Sequence, residues 1–198
     1  MSNVKAKKET TQKLVLGAMM TAFVIILQSL ATFTTFFGPF STAIGLIPIV
    51  LGAVMCGPAI GAWLGFVFGV VVIATGNAAL FFAFDIPGTI VTVLLKGTLC
   101  GFVAGIVYKL LSRFNKYIAV IVASVLCPVT NTAVFLLGCY VFFMDSAAEI
   151  ANTVGLSGSG MEVFFALAMA NFILEVVTNA VLSPVITSVL KHTKSINK

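Results

Sequence analysis

Two charged residues, Lys96 and Glu175, stand inside long apolar stretches of the sequence. A charge at the centre of a bilayer costs roughly 3 kcal/mol on insertion scales unless it is paired or hydrated. Residues that bear this cost commonly serve a ligand or an ion path, so both are candidates for chemistry. An ammonium at Lys96 would bind an anionic group. The alternatives are snorkelling of Lys96 toward the membrane surface and an internal ion pair with Glu175.

Amide side chains accompany Glu175 at helical spacing. Asn171 precedes it by four residues and Asn179 follows it by four, so the three share one helix face. Asn131 lies in another apolar stretch, between two threonines. We predict that these groups and Lys96 converge from three helices in the outer half of the membrane and bind a ligand. The alternative is hydrogen bonding between helices, worth about 0.6 kcal/mol per bond.

Membrane helices must position these residues, because the chain is 60% hydrophobic and only 9% charged, with a mean hydropathy of +1.17. A soluble domain carries roughly 25% charged residues. The apolar stretches are continuous rather than alternating, which disfavours transmembrane strands. We therefore predict an all-α integral membrane protein with six transmembrane helices. The predicted spans are residues 12–32, 43–56, 58–76, 88–111, 117–143 and 163–190.

The distribution of basic residues predicts the orientation of these spans. Of the 11 Lys and Arg residues, all except Lys96 lie in or next to the N-terminal tail, the link between the fourth and fifth spans, or the C-terminal tail. The opposite loops, residues 33–42, 77–87 and 144–162, contain none. The positive-inside rule then places both termini in the cytoplasm. The predicted domains are a basic cytoplasmic tail (1–11), the six-helix transmembrane domain (12–190) and a second basic cytoplasmic tail (191–198).

Small residues predict how the helices pack. Gly57 is a plausible helix stop and Pro58 suits the first turn of the next helix, so the second and third spans form a tight hairpin. Glycines recur every four residues along the third and fourth spans, which predicts close contact between helix backbones. These glycines are Gly57, Gly61, Gly65 and Gly69 in the third span and Gly97, Gly101 and Gly105 in the fourth.

The predicted outer loops are rich in phenylalanine, including Phe36 and Phe81. Interfacial belts usually prefer Trp and Tyr, so these phenylalanines predict either hydrophobic lids over a pocket or interfacial anchors. Asn77 opens the second outer loop and is a further candidate for ligand binding.

Several function classes are disfavoured by what the sequence lacks. No P-loop, HExxH motif, nucleophile elbow or Ser/His/Asp arrangement is present, so we predict neither an enzyme nor a protein that holds ATP itself. The four cysteines lie in apolar stretches without a CxxC motif, which predicts no metal or other cofactor. The basic residues flank apolar segments and form no stripe with aromatic residues, so no nucleic-acid partner is expected.

These features resemble the substrate-binding S component of an energy-coupling factor (ECF) vitamin transporter. The resemblance covers all six predicted helices and rests on Ala18-x-x-x-Ala22 and on the hairpin IPIVLGAVMCGPAIGAWLGFVFG at residues 47–69. It implies a multi-pass protein of the bacterial plasma membrane that binds a vitamin near the outer surface. It also implies that Ala18 and Ala22 dock on a transmembrane coupling (T) subunit, which two ATPase subunits drive.

The hairpin is most similar to the branch that contains pantothenate S components, together with cobalamin and queuosine-precursor transporters. Lys96 would suit the pantothenate carboxylate, Asn131 and Asn171 its polar groups, and the loop phenylalanines its methyl groups. Glu175 would be protonated or hydrogen-bonded to ligand hydroxyls. The alternatives are an S component for cobalamin, riboflavin, pyridoxine, biotin or a queuosine precursor, and a stand-alone ion-coupled transporter that uses Glu175 and Lys96 as a relay.

Overall fold

The computed structural model describes residues 2–34, 45–156, 158 and 160–196. Within these residues the chain forms eight helices and no strand, so the predicted all-α class is confirmed. The helices are α1 (Ser2–Thr34), α2 (Leu46–Cys56), α3 (Pro58–Ala74), α4 (Ala79–Phe82), α5 (Ile86–Leu111), α6 (Lys116–Phe142), α7 (Ala147–Val154) and α8 (Met161–Ile196).

Four of these helices are long and apolar enough to cross a membrane: α1, α5, α6 and α8. The apolar helices α2 and α3 contain 11 and 17 residues. At 1.5 Å per residue, α2 extends about 17 Å, which is shorter than the roughly 30 Å hydrocarbon core. The arrangement of six complete spans and the orientation of the termini therefore stay predictions.

The hairpin between α2 and α3 forms as the Gly57-Pro58 pair predicts. Gly57 ends α2 with φ of 101°, a conformation that side chains rarely adopt, and its N–H donates to the Ala53 carbonyl at 3.0 Å. Pro58 opens α3, where its missing N–H leaves no intrahelical bond unmade. The two helices therefore fold back on each other through a single connecting residue.

The glycine stripes predicted on the third and fourth spans meet in the structure, at the contact between α3 and α5. A Cβ added to Gly65 would collide with the backbone of Gly97, and one added to Gly97 would collide with the backbone of Gly65. Gly61 and Gly101 face each other in the same way one turn further along. The prediction of close backbone contact is confirmed, and no side chain separates the two helices there.

Two short helices, α4 and α7, lie in segments that the sequence predicted to be loops. The apolar face of α7, formed by Ala147, Ile150 and Ala151, is buried in a cluster with Phe143 and Phe164. The loop prediction at residues 77–87 and 144–162 was therefore incomplete. Helices of four and eight residues are marginal on their own, so both depend on packing against longer helices.

Candidate ligand-binding site

Glu175 on α8 and Asn131 on α6 meet in the interior of the helix bundle. Asn131 donates from Nδ2 to Glu175 Oε2 at 3.3 Å. Glu175 is 7% exposed and Asn131 is 5% exposed, so water reaches neither side chain freely. The sequence predicted that these two residues would come together, and the structure places them in direct contact.

The two other asparagines of α8 extend this polar region along the helix. Asn179 donates from Nδ2 to the main-chain oxygen of Glu175 at 2.9 Å. Asn171 lies one turn from Glu175 on the other side and is half-buried. The Oδ1 atoms of Asn131, Asn171 and Asn179 are all buried without a hydrogen-bond partner. Buried polar atoms are paired in the great majority of cases, so these three oxygens mark an incomplete network that a ligand could complete.

Lys96 comes from α5, the third helix of the predicted cluster. Its side chain is half-buried, and Nζ lies 5.0 Å from the ring centroid of Phe135 on α6. Lys96 and Glu175 are near enough to interact electrostatically. Among the described side chains, however, no ion pair joins them, so the structure does not provide the direct pairing considered for Lys96. The ammonium is therefore held over an aromatic face, within the field of a buried carboxylate.

An aromatic cluster connects Lys96 to the predicted loop residue Phe81. Phe81 packs edge-on against Phe135, with centroids 5.4 Å apart, and against Phe143, with centroids 5.2 Å apart. Phe135 was not singled out by the sequence, although its position four residues after Asn131 places it on the same face of α6. The cluster of Phe81, Phe135 and Phe143 thus forms an apolar wall beside the Lys96 ammonium.

The two remaining candidates for ligand binding are Asn77 and Phe36. Asn77 lies in the turn between α3 and α4, where its Nδ2 donates to Thr75 Oγ1 at 3.2 Å. This bond is local, so a role for Asn77 in ligand binding stays a prediction. Phe36 lies outside the described residues.

Further buried polar groups lie on α5 and α6, and of these Thr92 and Ser124 were not singled out by the sequence. Cys100 and Cys127 are buried free thiols, and Cys100 Sγ donates to the Gly97 carbonyl at 3.1 Å. Thr92 Oγ1 and Ser124 Oγ are buried without a partner. Among the residues that the structure describes, no group of three or more metal-ligating side chains occurs. The arrangement as a whole offers one cation and several hydrogen-bond acceptors, which suits binding of a small polar molecule.

The two alanines predicted to dock on a coupling subunit lie on the exposed side of α1. Ala18 and Ala22 are both exposed, whereas Val24 and Gly17 on the opposite side are buried against the bundle. The neighbours of the two alanines on this surface are large and apolar, including Met19, which is 51% exposed. The alanines therefore lie on an apolar surface that no other part of the described chain covers.

Comparison with known proteins identifies the family. Residues 12–190 match the family model described as the ECF transporter, substrate-specific component. Searches of curated proteins and of solved structures gave no match to the chain. The family is one of transporter components and not of enzymes, which agrees with the absence of a catalytic motif. Because the match covers nearly the whole chain, this protein belongs to the family of substrate-specific components of ECF transporters.

Proposed function

We propose that this chain is the high-affinity substrate-binding subunit of an ATP-driven ECF-type vitamin importer, and that its vitamin is pantothenate. Family membership supports the general role. The observation that carries the proposal is the convergence of Lys96, Asn131 and Glu175 from three helices in the bundle interior. Buried polar groups of this kind in a membrane protein are generally functional, since burial of each one is unfavourable without a ligand or partner.

Pantothenate matches the chemistry of the cluster. It carries a carboxylate, hydroxyl groups, an amide and a pair of methyl groups. Lys96 would pair with the carboxylate, and the buried Oδ1 atoms of Asn131 and Asn171 would accept from the hydroxyl or amide donors. The phenyl rings of Phe81 and Phe135 would contact the methyl groups.

The proposed partners are a transmembrane coupling subunit and two ATPase subunits. The chain contains no P-loop, so in an ATP-driven importer the ATP would be bound by another subunit. The exposed positions of Ala18 and Ala22 support docking on the coupling subunit through α1. Small side chains allow two membrane helices to approach closely, which is the main source of helix association in lipid.

The test is a comparison of the purified chain alone with the chain co-expressed with a cognate ECF module. The chain alone should bind pantothenate in detergent but should not concentrate it in liposomes. ATP-dependent uptake should appear only when the coupling and ATPase subunits co-purify with it. Concentrative uptake by the chain alone would contradict the proposal and would favour an ion-coupled transporter.

A further inference from the structure

The hydrogen bonds around Glu175 determine which atoms the neighbouring amides present. Glu175 Oε2 accepts a hydrogen bond from Asn131 Nδ2 at 3.3 Å, so the nitrogen of this amide is turned toward Glu175. The amide oxygen then points away from Glu175. The orientation of this amide therefore follows from the chemistry of its neighbour.

Asn179 is oriented by the same residue in a different way. Its Nδ2 donates to the main-chain oxygen of Glu175, which also can only accept. Asn179 Oδ1 is left buried and unpartnered, in a side chain that is 1% exposed. Glu175 thus binds both amide nitrogens and leaves two amide oxygens as acceptors with no donor in the described chain.

We infer that Glu175 is a positioning residue, which holds the Asn131 amide so that its oxygen accepts a hydrogen bond from an O–H or N–H donor of the ligand. This inference rests on the proposed function and specifies how the site selects its ligand. The ligand must carry an uncharged donor for Asn131, in addition to the anionic group that faces Lys96. A simple carboxylic acid without a hydroxyl or N–H group would leave the oxygen unpaired, and an unpaired buried acceptor weakens binding.

The inference also explains how the buried side chain of Glu175 can lie in a site that binds a ligand with a carboxylate of its own. Glu175 Oε2 is already bonded to the Asn131 amide, so this oxygen need not face the carboxylate of the ligand. The ligand's negative charge would lie at Lys96, and its hydroxyl or amide donors would lie at Asn131. Lys96 and Asn131 would therefore bind two different groups of the same ligand molecule.

The test reverses the hydrogen bond between residues 131 and 175. In Asn131→Asp, two carboxylates face each other without a donor, and affinity for pantothenate should fall about tenfold or more. In Glu175→Gln, the side chain can turn either its oxygen or its nitrogen toward Asn131, so the Asn131 amide is no longer held in one orientation and affinity should fall about threefold. The double variant restores a donor, because the Gln nitrogen can donate to the Asp, and it keeps the wild-type charge of the pair.

Pantothenate binding to the double variant should therefore return to within about threefold of wild type. Asn131→Leu is the control, because it removes the acceptor and should not be rescued by Glu175→Gln. Thermal unfolding of each variant separates loss of affinity from loss of fold. Wild-type affinity in Asn131→Asp, or a folded double variant that stays as weak as Asn131→Asp, overturns the positioning role alone. Failure of the wild-type chain to bind pantothenate contradicts the proposed substrate and this inference together.

Discussion

The contact between α3 and α5 and the contact between α6 and α8 are built on opposite principles. At the first, facing glycines bring two backbones together, with no polar side chain between Gly65 and Gly97. At the second, Asn131 and Glu175 are buried with a single hydrogen bond between them, and amide oxygens remain unpaired. The α3–α5 contact needs no further group to complete it, whereas the α6–α8 contact leaves the buried Asn131 Oδ1 without a hydrogen-bond partner.

We therefore regard the α3–α5 contact as the scaffold of the bundle and the α6–α8 contact as part of the proposed ligand-binding site. In lipid, helices associate through close packing and not through exclusion of apolar surface from water, so a glycine contact is a strong and permanent one. Unpaired buried acceptors are unfavourable in the same environment, and they are satisfied best when a ligand is present. We therefore expect substitutions at the first contact to change folding, and substitutions at the second to change ligand binding.

The largest effect is expected for Gly65→Leu. A side chain at this position would collide with the backbone of Gly97, which cannot move aside without separating α3 from α5. Overpacking commonly costs about 1–3 kcal/mol even where side chains can adjust, and here the obstacle is backbone. Gly65→Leu should therefore prevent isolation of a folded monodisperse protein in detergent, as measured by size-exclusion chromatography and thermal unfolding.

The matched control for Gly65→Leu is Ala59→Leu on the same helix, because Ala59 is exposed. It adds a similar side chain where no backbone blocks it, so the midpoint of thermal unfolding should be close to that of wild type. A stable Gly65→Leu protein would show that the α3–α5 contact can loosen, and the proposed division between scaffold and site would be wrong.

The second-largest effect is expected on ATP-driven uptake, when the surface of α1 proposed to dock on the coupling subunit is changed. Ala22→Leu should abolish ATP-driven uptake by the reconstituted complex, because a bulky side chain would keep α1 from packing closely against a helix of the coupling subunit. Pantothenate binding to the isolated chain should be unchanged, since Ala22 is exposed on the outside of the bundle. Ala148→Leu, at an exposed position on α7, is the control and should leave both activities intact. Loss of binding in Ala22→Leu with normal complex assembly would mean that α1 contributes to the site.

A smaller effect, confined to binding, is expected for Lys96→Ala. Truncation of one partner of a buried charge pair costs about 2–5 kcal/mol. Affinity for pantothenate should therefore fall roughly 30-fold or more, as measured by calorimetric titration. The fold should survive, since removing a charge from a membrane helix generally favours insertion. Lys109→Ala on the same helix is exposed and should bind as wild type does. Unchanged affinity in Lys96→Ala would assign Lys96 to snorkelling.

The smallest effect is expected for Phe135→Leu, which keeps an apolar side chain but removes the ring beneath Lys96. A cation–π contact contributes about 0.5–1 kcal/mol at an exposed site and more when desolvated. Affinity should therefore fall about threefold. Phe165→Leu, at a position that is 51% exposed on α8, is the matched control and should not change binding. Unchanged affinity in Phe135→Leu would contradict a role for this ring beneath Lys96.

The sequence was most informative where residue type conflicted with surroundings. Lys96, Asn131 and Glu175 were found because polar residues in apolar helices are unfavourable unless something compensates, and the contact between Asn131 and Glu175 agrees with their predicted convergence. The Gly57-Pro58 hairpin was found because each residue has a specific role at a helix end.

The sequence did not identify the apolar residues that act through side-chain packing. Phe135 and Phe143 are ordinary in an apolar helix, and only the three-dimensional contacts place them near Lys96 and Phe81. The short helix α7 was missed because a helix of eight residues is marginal on its own and is held by its burial against Phe143 and Phe164. The sequence also does not predict which way the oxygen and nitrogen of an Asn amide point, since this depends on which neighbours donate and which accept.

The central claim is that the cluster of Lys96, Asn131 and Glu175 binds an anionic vitamin, and it is tested most directly by comparing two ligands that differ in charge. Purified wild-type chain and Lys96→Ala would each be titrated with pantothenate and with its uncharged amide analogue. We predict that the wild-type chain binds the acid at least about tenfold more tightly than the amide, and that Lys96→Ala loses this preference. Equal affinity of the wild-type chain for the two ligands would contradict the claim.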